Sequence, residues 1–334
     1  MKRTGKKRAN LRDVAKAAGV SVATASRVLN TPAKVNEETR ARVEAVIAEL
    51  GFVRSAAARA INTGRTKMLG ALIPTLDSDI FAQTINAIEN RLAELGFSLV
   101  VATTDDNRET ETRKAQELLD IGVEGLFLSG IAHDEALHAL IDRTKVPAIV
   151  ISYYDEAYHL PTIGYDNERA AAAAVNYLLS LGHKDIAVVH GPAENNDRTR
   201  ARLAGISTDS SDRSLTYFET DLSIEGGAQA VRQSFANNRR FDAFLCLSDV
   251  LAFGVIFEFQ RAGLVIPEAV SVLGIQDLPG ARVMTPRLST IRLPAQEMGA
   301  KAAKALAHWV ETGERPAPES LAFELVPRES TIRR

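Results

Sequence analysis

Cysteine is almost missing from this 334-residue chain: Cys246 is the only one, so no intrachain disulfide can form and a reducing compartment is compatible. It lies in the apolar run from Phe241 to Leu247 and reads as a small buried hydrophobe. Long apolar runs are missing too. No stretch approaches the roughly 18 uninterrupted apolar residues of a membrane span, and the basic start MKRTGKKRAN leads into the polar, amphipathic LRDVAKAAGV rather than the apolar core of an export signal. No membrane partner and a cytoplasmic location are therefore expected. Catalytic signatures are also lacking: there is no GxGxxG after a strand, no GxxxxGK[ST] and no GxSxG. The six histidines show no metal-ligand spacing; His133 and His138 are five apart, about 140° around a helix. The expectation is a protein that is not an enzyme, with no catalytic residues, no cofactor and no metal. A cytoplasmic α/β enzyme stays as the competing class, because Asp77, Asp166 and Asp249 follow apolar runs and suit acid/base work as well as hydroxyl binding.

What is present is a strong charge asymmetry. The overall charge is −2, but residues 1–65 hold 14 Lys and Arg against 5 Asp and Glu, leaving 26 against 37 for the rest. A basic module precedes an acidic body. Clustered positive charge in a small unit is the footprint of phosphate-backbone binding, although a solvated basic tail has the same composition. With 46% hydrophobic and 25% charged residues, the chain as a whole has the make-up of a globular protein of two or three domains.

Within the basic part, apolar residues at 11, 14, 15 and 18 share one helical face, with Asn10 as N-cap and Asp13 in the first turn. Gly19 ends this helix, and Ser21 caps a second one from Val22 to Leu29. Two short helices across a tight glycine-containing turn form a helix-turn-helix. A third helix starts after Asn36 with Glu37 and Glu38 and stops at Gly51. Such a trio also occurs as a plain structural bundle. The exposed start of the second helix argues for DNA: Val22 and Ala23 are small enough for close approach to base edges, and Arg27 has the reach and donors for guanine O6 and N7.

DVAKAAGVSVATASRVLN (13–30) followed by VNEETRARVEAVIAELGF (35–52) resembles the headpiece of the lactose-repressor (LacI) family almost position by position. By that resemblance Val22, Ala23 and Arg27 match the main base-reading positions. Ser21, Thr24, Ser26, Asn30 and Lys34 match contacts to phosphate or neighbouring bases. The next segment, RSAAARAINTGRT (54–66), is too short to be a stable helix alone. In the family this place holds a hinge helix that folds on the operator and wedges into the minor groove. Ile61 takes the wedge position, Ala58 and Arg59 match the usual Ala-Arg pair, Ser55 stands where asparagine is usual, and Arg54 replaces a typical proline. A flexible linker is the alternative.

From Met68 onward, short apolar runs alternate with amphipathic helices: MLGALIP (68–74), FSLVVAT (97–103), VEGLFLS (123–129), VPAIVIS (146–152), KDIAVVH (184–190), RFDAFLCLS (240–248) and AVSVLGI (269–275). This alternation implies parallel sheets covered by helices on both faces. The pattern fits one large α/β enzyme or two doubly wound lobes. GRTKMLGALIP, LGHKDIAVVHGP and TPRLSTIRLPAQEMGAKAA are similar to segments of the family core, so the resemblance covers nearly the whole chain. It implies an α/β core of two doubly wound parallel-sheet lobes, periplasmic-binding-protein-like, behind an all-α helix-turn-helix headpiece. The expected divisions are headpiece 1–53, hinge 54–66 and core 67–334, with lobe one about 67–164 and 294–322 and lobe two about 165–292 and 323–332.

Ligands of open α/β sheets bind beyond the carboxyl ends of strands, which places the effector between the lobes. The resemblance carries effector positions onto Thr75, Asp77, Ile80 and Phe81, onto Asp166, onto Asn196, Arg198 and Arg202, and onto Ser248, Asp249 and Gln276. Arg202, in RLAG, matches the family's ligand-gripping arginine. Gln276 stands where an aspartate commonly binds sugar hydroxyls; with Arg198 and Arg200 nearby, this favours an anionic effector. NDRTRARLAG is also similar to the gluconate-type branch. The polar ISTDSSDRSLT (206–216) departs from the family, which usually continues a longer helix there. The resemblance therefore implies a repressor that binds a palindromic operator as a homodimer and answers to a sugar or sugar acid. A free solute-binding protein serving a transporter is the third class, opposed by the headpiece.

Overall fold

The structure is a computed structural model that describes residues 9–52, 64–207 and 214–334. The chain separates into two compact units, residues 1–66 and 67–334. In the first, α1 (Leu11–Ala17), α2 (Val22–Asn30) and α3 (Glu37–Leu50) begin at side-chain caps. Asn10 and Asp13 form a reciprocal capping box, Ser21 accepts from the Thr24 amide, and Asn36 accepts from the Thr39 amide. Each cap satisfies donors that a helix start otherwise leaves bare. Val14, Ala18, Val28 and Val43 are the buried centre of this unit.

The second unit contains two six-stranded sheets. Sheet A has the order β11-β5-β4-β3-β1-β2 and sheet B the order β12-β10-β9-β8-β6-β7. Sheet A comprises β1 (Met68–Ile73), β2 (Ser98–Thr103), β3 (Leu126–Ser129), β4 (Ala148–Ile151), β5 (Thr162–Gly164) and β11 (Glu319–Ser320). Sheet B comprises β6 (Asp185–His190), β7 (Ser214–Glu219), β8 (Ala243–Cys246), β9 (Ser271–Gln276), β10 (Ser289–Arg292) and β12 (Glu324–Val326). All neighbours pair in parallel except β10 with β12. Because both faces of a parallel sheet are covered, its inner strands are apolar at successive positions; β4, β8 and β9 are buried throughout.

The helices are α4 (Asp79–Glu94), α5 (Arg108–Asp120), α6 (Glu135–Thr144), α7 (Asn167–Ser180), α8 (Asp197–Ser207), α9 (Ile224–Ala236), α10 (Asp249–Arg261) and α11 (Ala295–Thr312). Side-chain alternation along β1 shows the layering: Leu69 and Ala71 join the cluster with Ile88 and Leu306, while Leu72 joins Ala115, Leu118 and Leu137 on the opposite face. Helices α4 and α11 cross closely at Gly299, where a Cβ would lie 2.6 Å from the Thr84 carbonyl oxygen.

The chain passes from sheet A to sheet B after β5, returns after β10 into α11, and crosses a last time between β11 and β12. The polar stretch flagged in the sequence ends α8 at Ser207 and resumes in the edge strand β7, with residues 208–213 outside the described set. Among the described residues no helix is long and apolar enough to cross a membrane.

Candidate functional site

Gly19, with φ +65°, lets the chain turn between α1 and α2 where a side chain would strain the backbone. Ala25 and Val28 of α2 face inward. On the opposite face of the helix, Val22, Ala23 and Arg27 are exposed and Ser26 is half-buried. Val22 keeps 44% of its surface in water, an unusual setting for a β-branched apolar side chain and one suited to contact with a thymine methyl. The Ser21 hydroxyl accepts from the Thr24 amide at 3.0 Å and lies 2.9 Å from the Thr24 hydroxyl, so both side chains help hold the start of α2. Lys34 is exposed in the short 3₁₀ turn Pro32–Lys34. Asn30 is the last residue of α2. Ser55, Ala58, Arg59 and Ile61 lie outside the described residues.

In the core, a cavity of about 80 Å³ lies at the carboxyl ends of strands from both sheets. Thr75, Ile80 and Phe81 line it from beyond β1, and Asn196, Arg198 and Arg202 from the β6–α8 connection and α8. Ser248, beyond β8, and Gln276, at the end of β9, complete this set. Arg202 is buried; its Nε donates to Asn167 Oδ1 at 3.0 Å and its Nη1 to the Leu247 carbonyl at 2.7 Å. None of these partners is a carboxylate. Burial pulls its pKa below the usual arginine value, opposed by Tyr165, and the neighbouring Arg198 adds to the depression. Guanidinium nevertheless stays protonated, so Arg202 is a buried cation at the cavity wall.

Arg198 is engaged differently. Its Nη2 donates to Asp106 Oδ1 at 3.1 Å, while Nη1 meets Asp197 Oδ1 and the Ser129 carbonyl, each at 3.1 Å. Its guanidinium carbon is also 6.0 Å from the Phe81 ring centre. Burial opposes its charge, but Asp197 and Asp106 outweigh that and raise its pKa. Asp106 is itself raised, because burial outweighs the pull of an arginine shared between two carboxylates. Arg200 is exposed and donates to the Ala193 and Glu194 carbonyls. The cationic surroundings expected from Arg198 and Arg200 are thus not found: the first is neutralised and the second points elsewhere. Arg202, by contrast, has no carboxylate among its hydrogen-bond partners, and Asp249 favours its charge only from a distance.

Three sequence candidates do not line the cavity. Asp77 is exposed, and Asp166 caps α7 by accepting from the Arg169 amide at 2.9 Å. Asp249 is fully buried, accepting from Thr290 Oγ1 at 2.6 Å and the Leu278 amide at 2.8 Å. Burial raises its pKa to about 7 against the lowering effect of those two bonds. Sequence reasoning missed Asp106, Tyr165, Ser152 and Leu222, which line the cavity. Asp106 follows β2 and was open to the same strand-end argument. Tyr165 follows the three-residue β5, which is too short to show as a run.

Gln276 and Asp277 both have positive φ, +132° and +57°, a conformation that needs support from elsewhere. The Asp277 carboxylate supplies it, accepting from Arg292 at 2.7 Å, from Arg282 at 2.9 Å and from Arg328. Burial would raise this carboxyl, but the three arginine hydrogen bonds hold it below its ordinary pKa.

The histidines gather in a way their spacing does not suggest. His133 precedes α6 rather than lying on it, and its ring is 5.9 Å from that of His138, which in turn lies 3.0 Å from His159 between ring nitrogens. Among the described residues no group of three or more His, Cys, Asp or Glu is placed to hold a metal ion.

Residues 66–331 match the family described as periplasmic binding proteins and sugar binding domain of LacI family, and residues 10–55 match the bacterial regulatory proteins of the lacI family. The chain belongs to the LacI family. This LacI-family chain, a DNA-binding transcriptional regulator, is 31% identical over 333 residues to the HTH-type transcriptional regulator GntR of Pseudomonas aeruginosa, covering 97% of this chain and 96% of that one. It is 31% identical over 327 residues to the HTH-type transcriptional repressor PurR of Escherichia fergusonii, covering 96% and 95%. The lac repressor dimer, solved bound to operator and the anti-inducer ONPF, is similar over 98% of this chain and 100% of its own, with a TM-score of 0.87 and 27% identity.

Proposed function

We propose that this regulator is a repressor that binds a palindromic operator as a homodimer in the cytoplasm, and that a small sugar or sugar acid in the interlobe cavity controls its affinity for DNA. The observation that carries the DNA reading is the outer face of α2, where Val22, Ala23 and Arg27 stand exposed opposite a packed apolar face. The family's structural precedent is a dimer on operator, and a two-fold protein matches a two-fold site. The functional divisions are a headpiece over 1–53, a hinge over 54–66 and an effector core over 67–334. Regulation rather than catalysis suits a cavity whose acids, Asp106 and the nearby Asp197, are both tied to Arg198.

For the effector, the supporting observation is Arg202, a buried cation whose hydrogen-bond partners are all neutral. A ligand carboxylate gives Arg202 the charged hydrogen-bond partner it lacks in the protein, and Ser248, Asn196 and Gln276 offer hydrogen bonds to hydroxyls. The test is twofold. Selection of bound sequences from random DNA by the full chain yields an inverted repeat, with affinity falling steeply as salt rises; recovery of no preferred sequence defeats the repressor reading. Thermal shift of the full chain with aldonic acids, sugar phosphates, neutral sugars and purines then assigns the effector: a response to neutral sugars alone overturns the anionic assignment. A ligand at about 100 times its Kd stabilises the fold by about 2.7 kcal/mol.

A further inference from the structure

Asp197 and Arg198 come from the sheet B side of the core, yet both reach directly to the sheet A side. Asp197 Oδ2 accepts from the backbone amides of Ile131 and, at 2.9 Å, Ala132. Arg198 donates to Asp106 and to the Ser129 carbonyl, as described above. Asp197 Oδ1 also accepts from the Arg198 amide at 2.7 Å, so the two residues brace one another. Both are at least nine-tenths buried. Every bond in this set joins two groups of the chain itself.

The receiving loop is shaped for the contact. Gly130 has φ +80°, and a Cβ there would overlap the Arg198 guanidinium and the Asp197 carboxylate. Its amide donates to Ile151 and its carbonyl lies 2.8 Å from His133 Nε2. His133 Nδ1 lies 2.8 Å from Glu111 Oε2. The Tyr158 hydroxyl donates to the Ile131 carbonyl at 3.3 Å. The two amides that Asp197 binds are therefore presented by a loop held on its other side.

We propose that Asp197, Arg198, Asp106 and Gly130 form a lobe-to-lobe clasp that holds the cleft shut and sets the cost of opening it. The clasp occupies Arg198, which leaves Arg202 to meet a ligand. An ion-pair network that is largely buried and linked by several hydrogen bonds behaves as a unit, so cutting one bond loosens the others. A set of independent local contacts lacks this property.

The experiment uses the full chain with no effector added and follows hydrogen exchange at the Ile131 and Ala132 amides. In the unaltered protein both exchange slowly, like strand amides. Asp106→Asn leaves Asp197 and both amides in place, yet it speeds their exchange by at least about fivefold, since local opening governs protection. Gly130→Ala, acting from a second loop of the same lobe, has the same effect, while β3 and β6 amides are unchanged in both variants. Fast exchange in the unaltered protein, or protection untouched by Asp106→Asn and Gly130→Ala, overturns the clasp. Neither result depends on what the effector is or whether DNA is bound.

Discussion

The Ser248 hydroxyl donates to the side-chain carbonyl oxygen of Gln276 across 2.8 Å, joining the ends of β8 and β9 at the cavity wall. The bond fixes which way the amide faces and leaves its NH₂ as the free end. A neutral donor thus stands near a cation, Arg202, and the pair is suited to a ligand rich in acceptors.

Gln276→Glu reverses that character. The new carboxylate repels an acid and removes both donors, so binding of gluconate or a similar aldonic acid weakens by about tenfold or more, about 1.4 kcal/mol. A neutral sugar loses less. Titration calorimetry of the variant with both ligand types checks this, and equal losses for the two would show that charge is not what the position reads.

Arg27→Ala tests the headpiece. Loss of a bidentate base contact costs about 1–3 kcal/mol and relaxes the preference at one operator position. Binding to a panel of singly substituted operators separates this from a phosphate contact, for which affinity drops uniformly across the panel.

Asp249 gives the core a pH dependence of definite sign. Its folded pKa of about 7 exceeds the ordinary 3.8, so the folded state holds a proton that the unfolded state releases. The stabilisation is complete below about pH 4 and is lost as pH rises through about 7; a shift of this size corresponds to about 4 kcal/mol. Asp249→Asn keeps the shape and removes the titration. Its unfolding midpoint gains on that of the unaltered protein between pH 5 and pH 8; parallel curves would refute the assignment.

His138 and His159 act in the opposite sense. Burial lowers the pKa of both, aided at His138 by His159 and His133, and at His159 by Arg315 and His133 against Asp142. The unfolded chain then binds protons first, so stability falls as pH drops below the ordinary histidine value of 6.5 toward the lowered folded values. The double variant His138→Gln, His159→Gln flattens the slope of denaturant midpoint against pH in that window.

Gly299→Ala should force α4 and α11 apart, since the added methyl meets the Thr84 carbonyl at 2.6 Å and the Ala87 Cβ at 2.9 Å. Overpacking of this kind costs about 1–3 kcal/mol. Denaturant unfolding of the core registers it, with the headpiece transition unmoved.

The helix ends of the headpiece were legible because capping is local: Asn10, Ser21, Asn36 and Gly51 each act within three or four residues. The inner strands were legible because burial on both faces writes a continuous apolar run. β5, β11 and β12, two or three residues each, exist only because a neighbouring strand is already in place, and nothing in their own composition announces them. In the cavity, strand-end positions were readable but side-chain direction was not. Asp166 and Asp249 lie near their predicted places, yet a helix cap takes one carboxylate and a buried threonine the other. Arg198 was legible as a cation, while its neutralisation by Asp106, 92 residues away in sequence, was not.

The last crossing between the sheets has a consequence for synthesis. β11 covers the outer edge of β5, and β12 covers that of β10. As the chain leaves the ribosome, both sheets keep a bare strand edge until residues 319–326 emerge, long after their inner strands are available to pair. Bare edges invite pairing with other chains, so a nascent chain stalled before β11 carries two sticky margins at once. The last two strands replace both margins with edges only two or three residues long, which are poorer templates for another chain.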